Sequence, residues 1–389
     1  MVTNRQARIA MTIVFVSNGF LVGTWQASIP AAKGALGLPD FRLGLVLALA
    51  TVGTIVVSPL VGFASARFGS RRLLRVFAPL TAGTYILIGL ASSEVLLGLA
   101  LFLMGVVSGF INVSMNTQAI ALEGRHRRTI LSTMHGSFSI GMVGGALIAA
   151  LVTWLGVSYR LILVTVGGIA LMAGLAIGSY LIDTDIGARA GRRRIRVSLP
   201  LAVIIVAVFL DLFCEGAAAN WSGVYTHDML HTSEAVAALT FGIYTLTLTA
   251  GRFAGDNLVM RMGVGSLIRS GGAITACGMG LALLFPSELM ILIGFGLVGL
   301  GLSWQAPTLF RAAGQLPLPE GQAITVVVMA AWPAFLVVGP LIGGLASVTS
   351  LRVALLAGVG AAVATIALSG LLGRLSPAPV EEVEAETAT

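Results

Sequence analysis

Two carboxylates, Asp211 and Glu215, stand at i and i+4 beyond an apolar run that begins at Leu199. A helix places them on one face. An ionised acid at the centre of a membrane span costs at least ~2.5–3.5 kcal/mol on insertion scales. Acids paired in apolar surroundings resist joint ionisation, so one can take up and release a proton during a cycle. The chemistry implied is proton coupling; the structural alternative is an acid hydrogen-bonded to a neighbouring helix. His135 adds an imidazole, suited to proton relay or to ligand contact. Asn112 and Asn116 form a second i, i+4 pair, able to bind hydroxyl or amide groups of a solute. Asn18, Trp25 and Gln26, with Trp304, Gln305 and Trp332, supply further amides and rings deep in apolar segments. For the amides and His135 the competing reading is hydrogen bonding between helices, worth ~0.6–2 kcal/mol per contact in a membrane. Trp221 reads equally as an interface anchor or a site residue. Arg252 and Asp256, again i and i+4, read as a gate or packing pair.

The elements that carry these residues follow from composition. The chain has 389 residues, 57% hydrophobic and 10% charged, against roughly 25% charged in soluble domains. That excludes a water-soluble enzyme and excludes disorder. Unbroken runs such as Leu199 to Leu210 differ from the ~10-residue alternation of a membrane β-barrel. The expected class is an all-α integral membrane protein. Its twelve expected transmembrane helices cover about 9–32, 42–66, 73–92, 95–120, 129–154, 159–182, 198–222, 234–258, 265–285, 289–311, 321–347 and 351–373. Residues 1–182 form an expected N-terminal six-helix bundle and 198–374 a C-terminal one. A basic cytoplasmic linker, 183–197, joins them, and a disordered acidic tail, 375–389, follows. The start of the chain resembles a signal peptide, but its apolar run is long enough to span. Cys214 and Cys277 are expected in the core. Metal-ligand spacing, a Walker loop and a GxSxG elbow are absent. The expectation is no cofactor, with a proton gradient as the energy source.

The 23 lysines and arginines give a net charge of +7. They lie between apolar runs rather than in one patch, which argues against nucleic acid as a partner. Only Lys33, Arg42, Arg160 and Arg352 fall at odd-numbered connections; the other 19 fall at the N-terminus, at even-numbered connections or at the C-terminal end. Positive residues stay cytoplasmic, so both termini are expected in the cytoplasm, as an even span count requires. A repeat is also visible. Arg67-Phe68-Gly69 recurs as Arg261-Met262-Gly263, 194 residues on and close to half the chain. Near the same offset, Asn112 matches Gln305 or its neighbour, and Asn18 matches Asp211.

Gly62-Phe63-Ala64-Ser65-Ala66-Arg67-Phe68-Gly69-Ser70-Arg71-Arg72 resembles the loop signature of the major facilitator superfamily, between the second and third spans. The resemblance covers the whole chain and implies the two-bundle major facilitator fold. It places Gly62, Arg67, Gly69, Arg71 and Arg72 at an inner gate. The aspartate of the signature is Ala66 here, so its usual gate salt bridge cannot form; Asp256 is the candidate to serve the second half. Glu215-Gly216-Ala217 with Asn220-Trp221-Ser222, Asn112-Val113-Ser114-Met115-Asn116, and His135-Gly136-Ser137-Phe138-Ser139 resemble the fucose-permease-like branch. That likeness favours Glu215 as the coupling acid. Gly339-Pro340-Leu341-Ile342-Gly343-Gly344 has the shape of the antiporter motif, but in span eleven rather than span five.

The function implied is secondary active transport, not enzymatic catalysis. A small polar solute, sugar-like or another metabolite, would cross the cytoplasmic membrane by alternating access, in symport with protons. The partners are that solute, protons and membrane lipid, and the chain is expected to be a monomer. Proton-coupled efflux of an amphiphilic compound is the alternative within transport. A non-transporting receptor or scaffold is the alternative of another class, and it has no need of acids at the membrane centre.

Overall fold

The computed structural model describes residues 3–126, 130–182, 198–316, 318 and 322–375, without the side chains of 126, 254–261, 322, 325 and 375. Apart from short connections these residues are helical. The elements are α1 (Asn4–Leu36), α2 (Asp40–Leu90), α3 (Glu94–His126), α4 (Leu131–Trp154), α5 (Tyr159–Ile177), α6 (Leu199–Leu230), α7 (Glu234–Leu284), α8 (Glu288–Leu302), α9 (Gln305–Gly314), α10 (Gln322–Ala331), α11 (Pro333–Val348) and α12 (Leu351–Leu375). Among the described residues, 11 helical segments are long and apolar enough to cross a membrane. The linker 183–197 and the acidic tail beyond residue 375 lie outside the described residues.

Two helices, α2 and α7, each run 51 residues. Drawn straight, each would be ~75 Å long, against ~40–45 Å for a whole bilayer. Each bends at one glycine, Gly69 (φ 73°, ψ 155°) and Gly263 (φ 69°, ψ 161°). Side chains avoid this positive-φ backbone, and glycine adopts it freely. A Cβ on Gly263 would meet nothing within 4 Å, so its backbone conformation, not crowding, is what calls for glycine there. The expected second and third spans are thus the two limbs of α2, and the repeated Arg-x-Gly tripeptide is a repeated bend.

The chain forms two compact units, Met1–Arg193 with Thr232–Gly242, and Arg194–His231 with Ile243–Thr389. In the first, α1 and α4 run side by side with backbones nearly touching. A Cβ on Gly19 or Gly23 would strike the carbonyls of Phe138 or Met142, and one on Gly141 or Gly145 those of Val16 or Phe20. Small residues are what allow such approach between membrane helices. The first limb of α2 lies along α3, with Gly105 against the Ala50 carbonyl. The second limb lies along α5, where Gly167 meets Ala82 and Ile86. Gln118, fully buried, holds one end of this unit together. Its Nε2 donates to Ser70 Oγ (2.9 Å) and the Ile182 carbonyl (2.7 Å), and its Oε1 accepts from the Ile182 N–H (3.2 Å).

In the second unit α6 packs against α8 to α12. The Gly105–Ala50 approach recurs 194 residues on as Gly299 against the Tyr244 carbonyl. The tenth and eleventh expected spans are each one continuous segment, Glu288–Gly314 and Val326–Val348, with a local irregularity inside. In the tenth it lies between α8 and α9, at Ser303 and Trp304; Pro307 has no N–H to offer the Ser303 carbonyl, and Ser303 Oγ donates to the Leu300 carbonyl (2.7 Å). In the eleventh it lies between α10 and α11, at Trp332, where Pro333 leaves the Met329 carbonyl without its helical donor. Cys214 is buried as expected and donates to the Gly358 carbonyl (3.4 Å), whereas Cys277 is exposed, not core.

Candidate functional site

Helix α6 carries the acids through the second unit. Asp211 is enclosed at 2% exposure, while the Glu215 side chain is 26% exposed. The first limb of α7 brings Arg252 Nη2 to 4.0 Å from Glu215 Oε1. That is beyond hydrogen-bond range, so the attraction is Coulombic and a loss of charge on Glu215 removes it. Asp211 interacts electrostatically with both Glu215 and Arg252. The Tyr244 phenol lies in the field of Glu215, Arg252 and Asp211. One Asp211 carboxyl oxygen, Oδ1, is fully enclosed with no hydrogen-bond partner among the described residues. Spacing pairs Arg252 with Asp256, whose side chain lies outside the described residues. The structure brings it to Glu215, a pairing that spacing along one helix cannot reveal.

The other second-unit candidates take fixed places. Trp304 caps the start of α9, buried, and donates from Nε1 to the Leu267 carbonyl (3.1 Å). Gln305 is buried beside it; its Nε2 donates to the Gly301 carbonyl (3.2 Å), and its Oε1 has no partner among the described residues. Trp332 caps α11 and stays 36% exposed. Trp221 is fully buried, which removes the interface-anchor reading.

The first-unit candidates gather on α1. Asn18 is buried and its Nδ2 approaches Met115 Sδ (3.8 Å) on α3. It also lines a cavity of about 20 Å³, room for one water, with Ser17, Thr81 and apolar neighbours. His135 is exposed, one turn into α4, and meets Phe15 of α1 edge-on with ring centroids 5.7 Å apart. Trp25 is buried, and Gln26 Oε1 is enclosed without a partner among the described residues. On α3, Asn112 Nδ2 donates to the Ser108 carbonyl (2.9 Å) and Asn116 Nδ2 to the Asn112 carbonyl (3.0 Å). Asn116 Oδ1 is enclosed and unpartnered among the described residues.

At the α2 bend, Gly62, Arg67 and Arg72 are exposed and Arg71 is half-buried. The Arg67 guanidinium lies 5.9 Å from the Phe68 ring centroid. Gln118, which the sequence reading missed, ties Ser70 directly beside Gly69; a buried amide on an apolar helix was the available signal. Valine at Gly69 or Gly263 must hold a conformation that β-branched residues resist. Gly69→Val and Gly263→Val should each destabilise the protein by ~1–3 kcal/mol of backbone strain, read as a lowered thermal unfolding midpoint. Unchanged unfolding midpoints in both variants would show that the bends do not need glycine.

The family model described as Major Facilitator Superfamily matches residues 11–209. The membrane protein MosC of Rhizobium meliloti is 31% identical over 363 residues, covering 91% of this chain and 88% of that protein. Among solved structures, the nucleoside transporter NupG superposes with a TM-score of 0.74 at 11% identity, over 95% of this chain and 98% of that one. A D-xylose-proton symporter superposes with a TM-score of 0.75 at 16% identity, over 96% and 99%. At these identities the structural likeness is one of fold.

Proposed function

Because the chain belongs to the Major Facilitator Superfamily, a family of membrane transporters, we propose that it is a secondary active transporter of a small polar solute, driven by proton symport. The observation that carries the coupling is the Asp211, Glu215 and Arg252 cluster, with one enclosed carboxylate oxygen and an ion pair at 4.0 Å. With Glu215 ionised, Arg252 is held against α6. Protonation of Glu215 discharges the pair and frees the first limb of α7 to move relative to α6. Proton occupancy then biases one of two conformations, which is what coupling requires.

The solute class rests on the amide groups, Asn112, Asn116, Asn18, Gln26 and Gln305, with Trp25, Trp304 and Trp332 as ring surfaces. They suit a hydroxyl-bearing metabolite, and the fold neighbours are transporters of nucleosides and of a sugar. His135 is a second proton-relay candidate. The reading includes twelve spans in two six-helix bundles, with the limbs of α2 and α7 each counted as two. It includes a monomer in the cytoplasmic membrane without a cofactor, and an inner gate of Gly62, Arg67, Gly69, Arg71, Arg72, Arg252 and Asp256. Both termini and residues 183–197 face the cytoplasm, supported by the basic residues. A cysteine placed within 183–197, native cysteines removed, should resist an impermeant thiol reagent in intact cells; ready labelling from outside would reverse the orientation.

The function is tested by a thermal-shift screen of purified protein against sugars, nucleosides, other metabolites and amphiphilic drugs. The solute giving the largest shift is then offered to reconstituted vesicles. A hydroxyl-bearing metabolite should bind, and an imposed inward proton gradient should drive its accumulation. Binding only by amphiphiles, or accumulation indifferent to the gradient, would overturn the proposal.

A further inference from the structure

The second unit holds enclosed hydroxyls that its packing leaves unused. Ser222 and Thr245 are fully buried and Thr249 nearly so. The Oγ of Ser222 and the Oγ1 of both threonines have no hydrogen-bond partner among the described residues, nor has Trp221 Nε1. Nearby threonines differ. Thr226 and Thr240 donate to carbonyls one turn back, at 2.8 and 3.0 Å, and Thr247 to the Gly296 carbonyl at 2.7 Å. An unmatched buried hydroxyl costs ~1–3 kcal/mol, and such groups are ordinarily matched by internal water.

Helix register places these groups in line with Glu215. Three residues connect the end of α6 at Leu230 to the start of α7 at Glu234. Glu215 lies 15 residues before that connection and Arg252 lies 18 after it, and the two side chains meet. The same offset sets Ser222 level with Thr245, and Ala218 level with Thr249. Thr245, Thr249 and Arg252 recur at i, i+4 and i+7, one face of α7; Glu215, Ala218 and Ser222 recur at i, i+3 and i+7, one face of α6. The hydroxyls therefore begin about one turn from the ion pair and reach to ~10 Å from it, toward the α6–α7 connection.

We propose that Thr249, Thr245 and Ser222, flanked by the Trp221 indole, form the path by which a proton reaches Glu215 from the outer side. The proposal rests on the reading of Glu215 as the coupling carboxyl. Hydroxyls one turn apart are ~5–6 Å from each other, too far for a direct hydrogen bond, so single waters alternate with them. Each hydroxyl accepts a proton on one lone pair and passes its own inward, ending as it began. The net change is one proton from outer water added to the Glu215 carboxylate, which becomes a neutral acid and releases Arg252. Among the described residues, the charged and titratable groups of this cluster besides Glu215 are Arg252, Asp211, Tyr244 and Cys214. From α11, Phe335 and Val338 lie beside Gly216 and bring no charge.

The test follows protonation itself and needs no solute. Right-side-out reconstituted vesicles of the full chain receive a rapid external acid jump, and the protonated-carboxyl C=O stretch is followed by time-resolved infrared absorption. Glu215→Gln identifies the band; if no band is lost in it, the coupling reading fails, and the path with it. In Ser222→Ala/Thr245→Val the band should reach wild-type amplitude at least tenfold more slowly. Ser222→Thr and Thr245→Ser, which keep a hydroxyl, should restore the rate, and they also serve if the double variant does not fold. A Glu215 band that rises at the wild-type rate in the folded double variant overturns the path alone. So does slow rise in the hydroxyl-keeping variants, because packing rather than proton passage would then be at fault.

Discussion

Glu215→Gln is expected to abolish gradient-driven accumulation of the solute, by roughly 100-fold, the scale at which a positioned proton-transfer group contributes. Glutamine keeps the shape of the neutral acid and cannot exchange a proton. Solute binding and counterflow between equal pools should survive, because neither needs net proton movement. The variant also removes the negative partner of Arg252, 4.0 Å away. Arg252→Ala alone strands the glutamate charge in a half-buried place and should destabilise the protein more than Arg252→Ala combined with Glu215→Gln. A double-mutant cycle on thermal unfolding reads that coupling. Additive effects would mean that the two side chains do not interact. Full gradient-driven transport in both Glu215→Gln and Asp211→Asn would end the case for coupling through α6 and move attention to His135.

Gly141→Leu is expected to cost more stability than any surface substitution, beyond ~4–5 kcal/mol and into the range where little folded protein is recovered. The reason is geometric. A Cβ at Gly141 would run into the Val16 carbonyl, and Gly19, Gly23 and Gly145 approach the facing backbone as closely, so a leucine there forces apart the whole contact between α1 and α4. Gly144, whose Cβ would meet only the Phe20 ring at 3.7 Å, is the control. Gly144→Ala should express and melt within a few degrees of wild type. Normal yield and melting of Gly141→Leu, by detergent-solubilised thermal unfolding, would show that α1 and α4 are not held in close contact.

Much of the fold was legible because a membrane restricts a chain to few solutions. Apolar run length marked the helical segments, and the Arg-x-Gly repeat marked both bends. What escaped has identifiable causes. The local irregularities at Trp304 and Trp332, inside spans that otherwise run through, lie beside Pro307 and Pro333, whose missing N–H groups act on carbonyls four residues earlier; run-length reasoning does not see them. Cys277 was placed in the core because periodicity is weak where a helix is apolar all round, so its exposed face could not be assigned. At the candidate site, the i, i+4 spacing of Asp211 and Glu215 gave the pair. Partners from other helices, Arg252 for Glu215 and Met115 for Asn18, depend on which spans pack together. Gln118 went unnoticed because its function is to close a backbone end at Ile182, which no motif records.

Proton movement accompanying the solute tests the central claim most directly. Cells or right-side-out vesicles carrying the protein are suspended in lightly buffered medium, the solute selected by thermal shift is added, and external pH is recorded. The account predicts alkalinisation on addition with the wild type, as protons enter with solute, and none with Glu215→Gln. Accumulation of solute by the wild type without any pH change, or with acidification of the medium, would contradict proton symport.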